Sequence, residues 1–304
     1  MERKLFFVYN PKAGKAQVKT KLAGIMDVFA AAGYEIVVAP TRKHGDAVNA
    51  VAQRRDEYEL VVCCGGDGTL DEVVTGMIMS GFRTPIGYIP AGSTNDFGGS
   101  LSLPKDMVKA AELAVQGQNF PCDIGSFCHD DGEDVFVYIA AFGLFTDVSY
   151  ETGQEMKNLL GHMAYLLEGV KKLSSIHPCH MKVNWDGNEL EDDFIFGMIT
   201  NSTSVGGFKN ITGKDVYLDD GYFEVTLIRQ PKNPLELNNI VMYLLNPDTT
   251  TDAVRCFHTA QLTLESKEPV AWTLDGENGG SHTKVDIRNL CKAIDIRIKK
   301  VISE

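Results

Sequence analysis

A chain of 304 residues with 44% apolar and 23% charged residues has the makeup of an ordinary globular protein, and its length favours two domains over one core. A net charge of −12 argues against a nucleic-acid binder, whose domains carry a basic excess. The opening MERKLFFVYN is too short in apolar residues for a signal peptide, and no uninterrupted apolar run of about 18 residues follows, so the expectation is a cytoplasmic protein with no transmembrane segment.

Along the first 120 residues, short apolar runs alternate with helical patterns. KLFFVYN reads as a strand ending at PKAGK, QVKTKLAGIMDVFAAAG as a helix with a terminal glycine, and YEIVVAP as the next strand. HGDAVNAVAQRR then reads as helix, ELVVCCGG as strand, TLDEVVTGMIM as helix and PIGYIPAG as strand. That alternation predicts a parallel α/β sheet whose ligands gather at the carboxyl ends of its strands. NPKAG, CGGDGT and PAGSTNDF all fall at such ends, so three loops are expected to line one crevice.

The stretch VVCCGGDGTLDEV (61–73) removes nearly every side chain where a strand gives way to a helix. Backbone N–H groups exposed there suit an anion. The carboxylate of Asp67 would repel a phosphate unless a cation lay between them, which points to a phosphorylated ligand arriving with its metal. The six basic residues Arg3, Lys4, Lys12, Lys15, Lys19 and Lys21 form either a solvated helix face or an attractor for such a polyphosphate.

Beyond FPCDIGSF (120–127) the texture changes, and the domain boundary is placed near 122. DVFVYIAAFGLF, PCHMKVNWDG, DDFIFGMITN, YFEVTLIRQ, AQLTLESKEPVAWTLDG, TKVDIRNL and AIDIRIKK are strand-like and separated by turns, which predicts an antiparallel sandwich. The exceptions are 234–245 and 155–173, where leucines and methionines recur at spacings of three and four as a helix packed on the sandwich or a lipid-facing surface. Seven cysteines without a C-x-x-C pair read mostly as small core residues, against a disulfide framework or a zinc site.

NPKAG at 10–14, GGDGT at 65–69, PAGSTNDF at 90–97, LDDG at 218–221 and LDGE at 274–277 occur in the order and at the spacings of the diacylglycerol kinase catalytic family, and the chain resembles that family over nearly its whole length. The resemblance implies an α/β nucleotide-binding domain, residues 1–122, followed by a β-sandwich substrate domain, residues 123–304. It implies ATP-dependent phosphorylation of a lipid hydroxyl, such as that of diacylglycerol, at the membrane surface, with Mg2+. The partner is then a lipid rather than nucleic acid, the location cytoplasmic or peripheral at the inner membrane face, and a homodimer is an allowed assembly.

Carried over residue by residue, the resemblance places Asn10, Pro11, Lys12, Ala13 and Gly14 with Gly65, Gly66, Asp67, Gly68, Thr69, Leu70 and Asp71 around the nucleotide phosphates. Thr41, Ser93, Asn95 and Asp96 join them as nucleotide contacts, although the hydroxyls of Thr41 and Ser93 also suit a turn or helix cap. Asp67 is implied at the catalytic magnesium, with Asp96 and Asp123 as further acids lining the cleft, where Asp123 also reads as a turn residue. A second magnesium is implied at Asp220 with the main-chain oxygens of Tyr217 and Tyr222, where an ordinary Asp-Gly turn is the other reading. Either Asp275 or Glu277 takes the proton of the acceptor hydroxyl. Asp71 stands where the family has asparagine, and Ser93 where it has threonine. Two other functions stay open: a kinase of a soluble hydroxyl compound, in the manner of NAD kinase, and a nucleotide- or lipid-binding protein without turnover.

Overall fold

The computed structural model describes residues 3–53, 58–81, 83–143, 178–206, 208–209, 216–246 and 249–300. The apolar stripe of 155–173 lies outside the described residues. The chain divides into two units, the first made of Met1–Ile124, Leu218–Asp220 and Leu290–Glu304, the second of Gly125–Tyr217 and Gly221–Asn289.

In the first unit, β1 (Arg3–Tyr9), α1 (Gln17–Ala31), β2 (Tyr34–Pro40), α2 (Asp46–Ala52), β3 (Leu60–Gly65), α3 (Asp67–Ser80) and β4 (Ile86–Pro90) alternate along the chain. β1 pairs in parallel with both β2 and β3, and β3 pairs in parallel with β4. All six residues of β3 are buried, as befits a strand covered on both faces. α1 turns Val18, Ile25 and Phe29 inward at helical spacing, and they pack with Leu5, Phe7, Leu60 and Val62. Each such buried side chain contributes about 1.5–3 kcal/mol.

Two helices follow that the periodicity of the sequence did not single out, α4 (Asp96–Ser100) and α5 (Met107–Gln116). The start of α5 is set by Asp106, whose carboxylate accepts from the N–H groups of Val108 and Lys109 at 3.0 and 2.9 Å. Buried Met107, Ala110, Ala111 and Ala114 then join the core of the first unit.

The second unit is sheet-rich. After β5 (Gln118–His129) come β6 (Gly132–Phe136), β7 (Ile139–Gly143), β8 (Cys179–Trp185), β9 (Asn188–Thr200), β10 (Ser204–Val205), β11 (Phe208–Lys209) and β12 (Phe223–Arg229). α6 (Pro234–Leu245) precedes β13 (Val254–Thr259), β14 (Gln261–Leu274) and β15 (Glu277–Ile298). β9 pairs antiparallel with β7, β8 and β12, and β14 with β7, β8 and β15. Their inward residues, Phe136, Phe142, Phe194, Phe223, Val225, Leu227 and Trp272 among them, make a second core. α6 is capped by Asn233, whose side chain accepts from the Glu236 N–H, with proline in the first turn.

TKVDIRNL and AIDIRIKK belong to one continuous strand, β15, rather than two. Its backbone departs from extended geometry at Lys292, φ 52°. Beyond that point the strand belongs to the first unit, where Ile296 pairs with Ile86 of β4. Fully buried Asp123 fastens both returning segments: its Oδ1 accepts from the Lys292 N–H at 2.7 Å, and its own N–H donates to the Leu218 carbonyl at 2.8 Å.

The cysteines are all free, but only Cys63, Cys64 and Cys122 are buried, and Cys256 and Cys291 are exposed. Burial pushes the Cys64 thiol up to about 12, so it is an inert core group.

Candidate active site

The GGDGT loop joins β3 to α3, and no side chain caps the helix it opens. The N–H groups of Thr69 and Leu70 both turn back onto the Gly66 carbonyl, at 3.0 and 3.1 Å. A helix N-terminus without a side-chain cap, entered through glycine, is a ready site for a phosphate. Glycine is required at Gly92, where the β4–α4 turn lies back to back with this loop. A Cβ on Gly92 would sit 2.7 Å from the Gly66 Cα and 2.8 Å from Asn95 Oδ1. Asn95, at φ 55°, closes that turn by accepting from the Gly92 N–H at 2.8 Å and donating to the Gly92 carbonyl at 3.0 Å.

The first loop follows β1. The Asn10 N–H donates to the Cys64 carbonyl at 2.9 Å, and Asn10 Oδ1 accepts from the Lys12 N–H at 2.9 Å. Gly14 adopts φ 59°, and a Cβ there would meet the Ala91 carbonyl oxygen at 2.8 Å. Loops 10–14, 65–71 and 91–96 are thus brought together within the first unit, with Pro11, Lys12 and Ala13 on the first and Ser93 exposed on the third. Thr41, buried at the end of β2, is held to β1 by its N–H, 2.9 Å from the Tyr9 carbonyl.

Sequence reasoning passed over Glu72. Its two carboxylate oxygens accept from the N–H groups of Gly45 and Ala47, both at 2.9 Å, tying the second turn of α3 to the start of α2. α2 begins at Gly45 without a side-chain cap, and that missing local cap was the available signal.

Asp67 and Asp96 form the acidic centre of these loops. Asp67 Oδ2 accepts from the Asp96 N–H at 3.1 Å, and the Tyr88 hydroxyl lies 3.4 Å from Oδ1. Burial, reinforced by the Asp96 charge, pushes the Asp67 carboxyl up to about 6. A buried acid, Asp96, beside a half-buried one, Asp67, whose carboxyl is pushed that high, suits a divalent cation, which would relieve both effects.

A prediction follows for the metal-free protein. The Asp67 carboxyl moves from 3.8 to about 6 on folding. At Asp67 the folded chain therefore holds a proton that the unfolded chain releases in that window, so the Asp67 contribution to stability falls as pH rises from 4 to 6 and is level above it. The loss is at most about 3 kcal/mol. Urea midpoints at several pH values should show this slope in the wild type and lose it in Asp67→Asn. The same slope in both proteins would rule Asp67 out as its source.

In the second unit, Asp275 and Gly276 form a two-residue hairpin turn between the paired Leu274 and Glu277, with φ 52° and 86°. Positive φ at both positions is what a tight hairpin of this kind demands. The chain has a second Asp-Gly hairpin at Asp186 and Gly187, where the aspartate is exposed. Asp275 is buried instead, and its carboxylate accepts from the N–H groups of Val137, Tyr138 and Ile139 at 2.6, 3.0 and 2.9 Å. Glu277 is exposed on the first residue of β15.

Asp275→Asn keeps the turn, because asparagine tolerates positive φ, but presents an amide where a backbone N–H now finds oxygen. One buried donor left unmet costs about 1–3 kcal/mol. A urea midpoint unchanged from wild type would contradict this anchoring role.

The LDDG segment places Leu218 in the interior and Asp220 exposed, with Gly221 at φ 84°. The side chains of Tyr217 and Tyr222 are exposed, and the Tyr222 carbonyl accepts from the Asn289 side-chain amide at 3.2 Å.

The chain matches the family "Diacylglycerol kinase catalytic domain" over residues 4–127 and "YegS C-terminal NAD kinase beta sandwich-like domain" over residues 141–296. It is 31% identical over 302 residues to a diacylglycerol kinase of Staphylococcus carnosus, covering 99% of this chain and 96% of that protein. To a diacylglycerol kinase of Bacillus subtilis it is 33% identical over 276 residues, covering 90% and 89%. A crystal structure of a putative diacylglycerol kinase from Bacillus anthracis superposes with a TM-score of 0.81 at 23% identity, covering 99% of this chain and 97% of that one, which is a likeness of fold. By its likeness to these kinases the chain is a phosphotransferase. The chain belongs to the diacylglycerol kinase family.

Proposed function

We propose that this protein is an ATP-dependent lipid kinase that transfers the γ-phosphoryl group to the hydroxyl of diacylglycerol or a closely related lipid. The observation that carries the reading is the uncapped α3 N-terminus at GGDGT with Asp67 and Asp96 beside it. Backbone donors of loops 10–14 and 65–71 hold the phosphates, and Thr41, Ser93 and Asn95 border the nucleotide. Bound magnesium neutralises charge on the phosphates, and Asp67 and Asp96 are the residues that would hold it. Asp123, fully buried with one oxygen accepting from the Lys292 N–H, is a further acid for the same ion.

Of the two acids in LDGE, we assign proton acceptance to Glu277, because three backbone donors already occupy the Asp275 carboxylate. Asp275 then acts by holding the turn that presents Glu277. Asp220, with the main-chain oxygens of Tyr217 and Tyr222, would hold a second magnesium, which would steady the turn before β12. The two domains are read as a parallel-sheet nucleotide domain and a β-sandwich that takes the lipid, and catalysis as occurring at a membrane surface. Among the described residues no helix is long and apolar enough to cross a membrane, so such an association would be peripheral.

The test is a panel of purified lipids and soluble alcohols incubated with radiolabelled ATP and Mg2+. Label is expected in diacylglycerol and absent from NAD. Label in NAD alone would favour the soluble-substrate reading, and none in any acceptor would favour a binding protein without turnover.

A further inference from the structure

The stretch HDDGED (129–134) forms an acidic turn in the second unit. β5 and β6 are joined by Asp130 and Asp131 between the paired His129 and Gly132. The turn folds Asp131 back so that its N–H lies 3.2 Å from His129 Nδ1. From β15, buried His282 brings its ring to a centroid distance of 4.0 Å from that of His129, with 30° between the planes. One nitrogen from each ring and one carboxylate oxygen of Asp131 lie within 4.8 Å of one another.

Hydrogen bonding settles which nitrogens carry lone pairs. The Gly279 carbonyl, 3.0 Å from His282 Nε2, can only accept, so Nε2 carries the proton and Nδ1 of the neutral ring keeps a lone pair. His129 has the same arrangement: its Nε2 faces the Asp134 carboxylate at 3.2 Å, and its Nδ1 receives the Asp131 N–H. A metal-bound histidine typically donates its distal N–H to a carbonyl or a carboxylate, and both rings have such an acceptor in place. Phe127 lies under both imidazoles at 5.9 Å and packs on Trp272, giving the pair an apolar floor. Thr283, next to His282, lies with its hydroxyl 3.5 Å from Asp130 Oδ2, so strand and turn already meet.

We infer that His129, His282 and Asp131 form a binding site for a divalent transition-metal ion of the zinc class, separate from the magnesium chemistry of the nucleotide loops. Two imidazole nitrogens and one carboxylate oxygen suit zinc and its neighbours, whereas magnesium prefers oxygen and keeps its waters. Bonds of about 2.0–2.1 Å to a tetrahedral ion put donors about 3.4 Å apart, so atoms that lie within 4.8 Å of one another have only a short way to close. Asp131, exposed on the turn, is free to swing, and its N–H contact with His129 gives way to the metal. The ion clamps the β5–β6 hairpin to the strand that carries Glu277.

Metal-free full-length protein titrated with Zn2+ against a chromophoric chelator should bind one equivalent, undisturbed by millimolar Mg2+. Cobalt substituted for zinc should give a visible absorption band that reports the donor set. His129→Gln and Asp131→Asn should each weaken binding by at least about tenfold, the range seen even for residues that only support a ligand, and should dim the cobalt band. His282→Gln removes a buried ring and is read only if its circular dichroism matches wild type; Asp131→Asn, on an exposed turn, decides the matter otherwise. Absence of stoichiometric zinc binding overturns the proposal. So does binding that survives both His129→Gln and Asp131→Asn, because it then belongs to other donors such as the exposed Cys256 or Cys291.

Discussion

Glu277→Gln is expected to slow phosphoryl transfer to lipid by about 10²–10⁴-fold, the usual cost of losing a general base, while ATP binds as in wild type. Glutamine keeps the size and hydrogen-bonding reach of the side chain and removes its ability to take a proton. Glu277 stands exposed at the head of β15, directly across the hairpin from Leu274, so the substitution disturbs no packing. Nucleotide affinity persists because the loops assigned to the phosphates belong to the first unit and Glu277 to the second. Steady-state transfer with diacylglycerol, beside calorimetric titration of ATP, separates the two effects. Wild-type turnover in Glu277→Gln would move the base elsewhere. Asp275→Asn offers the comparison: its urea midpoint should drop, whereas that of Glu277→Gln should not.

Gly66→Val should weaken ATP binding by about 10²–10⁴-fold in a protein that still folds. The backbone at Gly66 is at φ −84° and ψ −176°, extended geometry that any residue adopts. A Cβ there comes 3.3 Å from the Gly92 Cα, so the facing turn must give by a few tenths of an ångström. The branched side chain would stand where the proposed site brings backbone against a phosphate. Two lost hydrogen bonds to a charged oxygen, each worth about 1.5–3 kcal/mol, account for the expected range. Gly92→Val differs, because its Cβ would lie 2.7 Å from the Gly66 Cα and must displace the turn itself. It should lose stability as well as affinity. Unchanged ATP affinity in folded Gly66→Val, measured by calorimetry, would remove the loop from the phosphate site.

The sequence by itself determined the parts of this protein that depend on neighbours along the chain. Strand-to-helix changes of period, with glycine at the junction, located β1 to β4, α1 and α3 and the three loops at their ends, because side-chain period and backbone freedom are local properties. The Asp-Gly pair at 275–276 was legible as a tight turn for the same reason. α5 escaped notice, although its Asp106 cap was a local signal.

What only the tertiary structure decided are the encounters between residues far apart in sequence. Asp275 and the N–H of Val137 are separated by 138 positions, Asp123 and Lys292 by 169, and no period of 2 or 3.6 names such a partner. Asp275 and Glu277 were therefore equal candidates as a pair of letters, and became an anchor and an exposed acid once the register of β7, β14 and β15 was set. The return of β15 to the first unit likewise came from pairing with β4, since AIDIRIKK alternates as any strand would. His129 and His282 read as two unrelated residues until adjacent strands stacked their rings. Period tells a side chain which face to take; register, settled by burial of the whole sheet, tells it whom to meet.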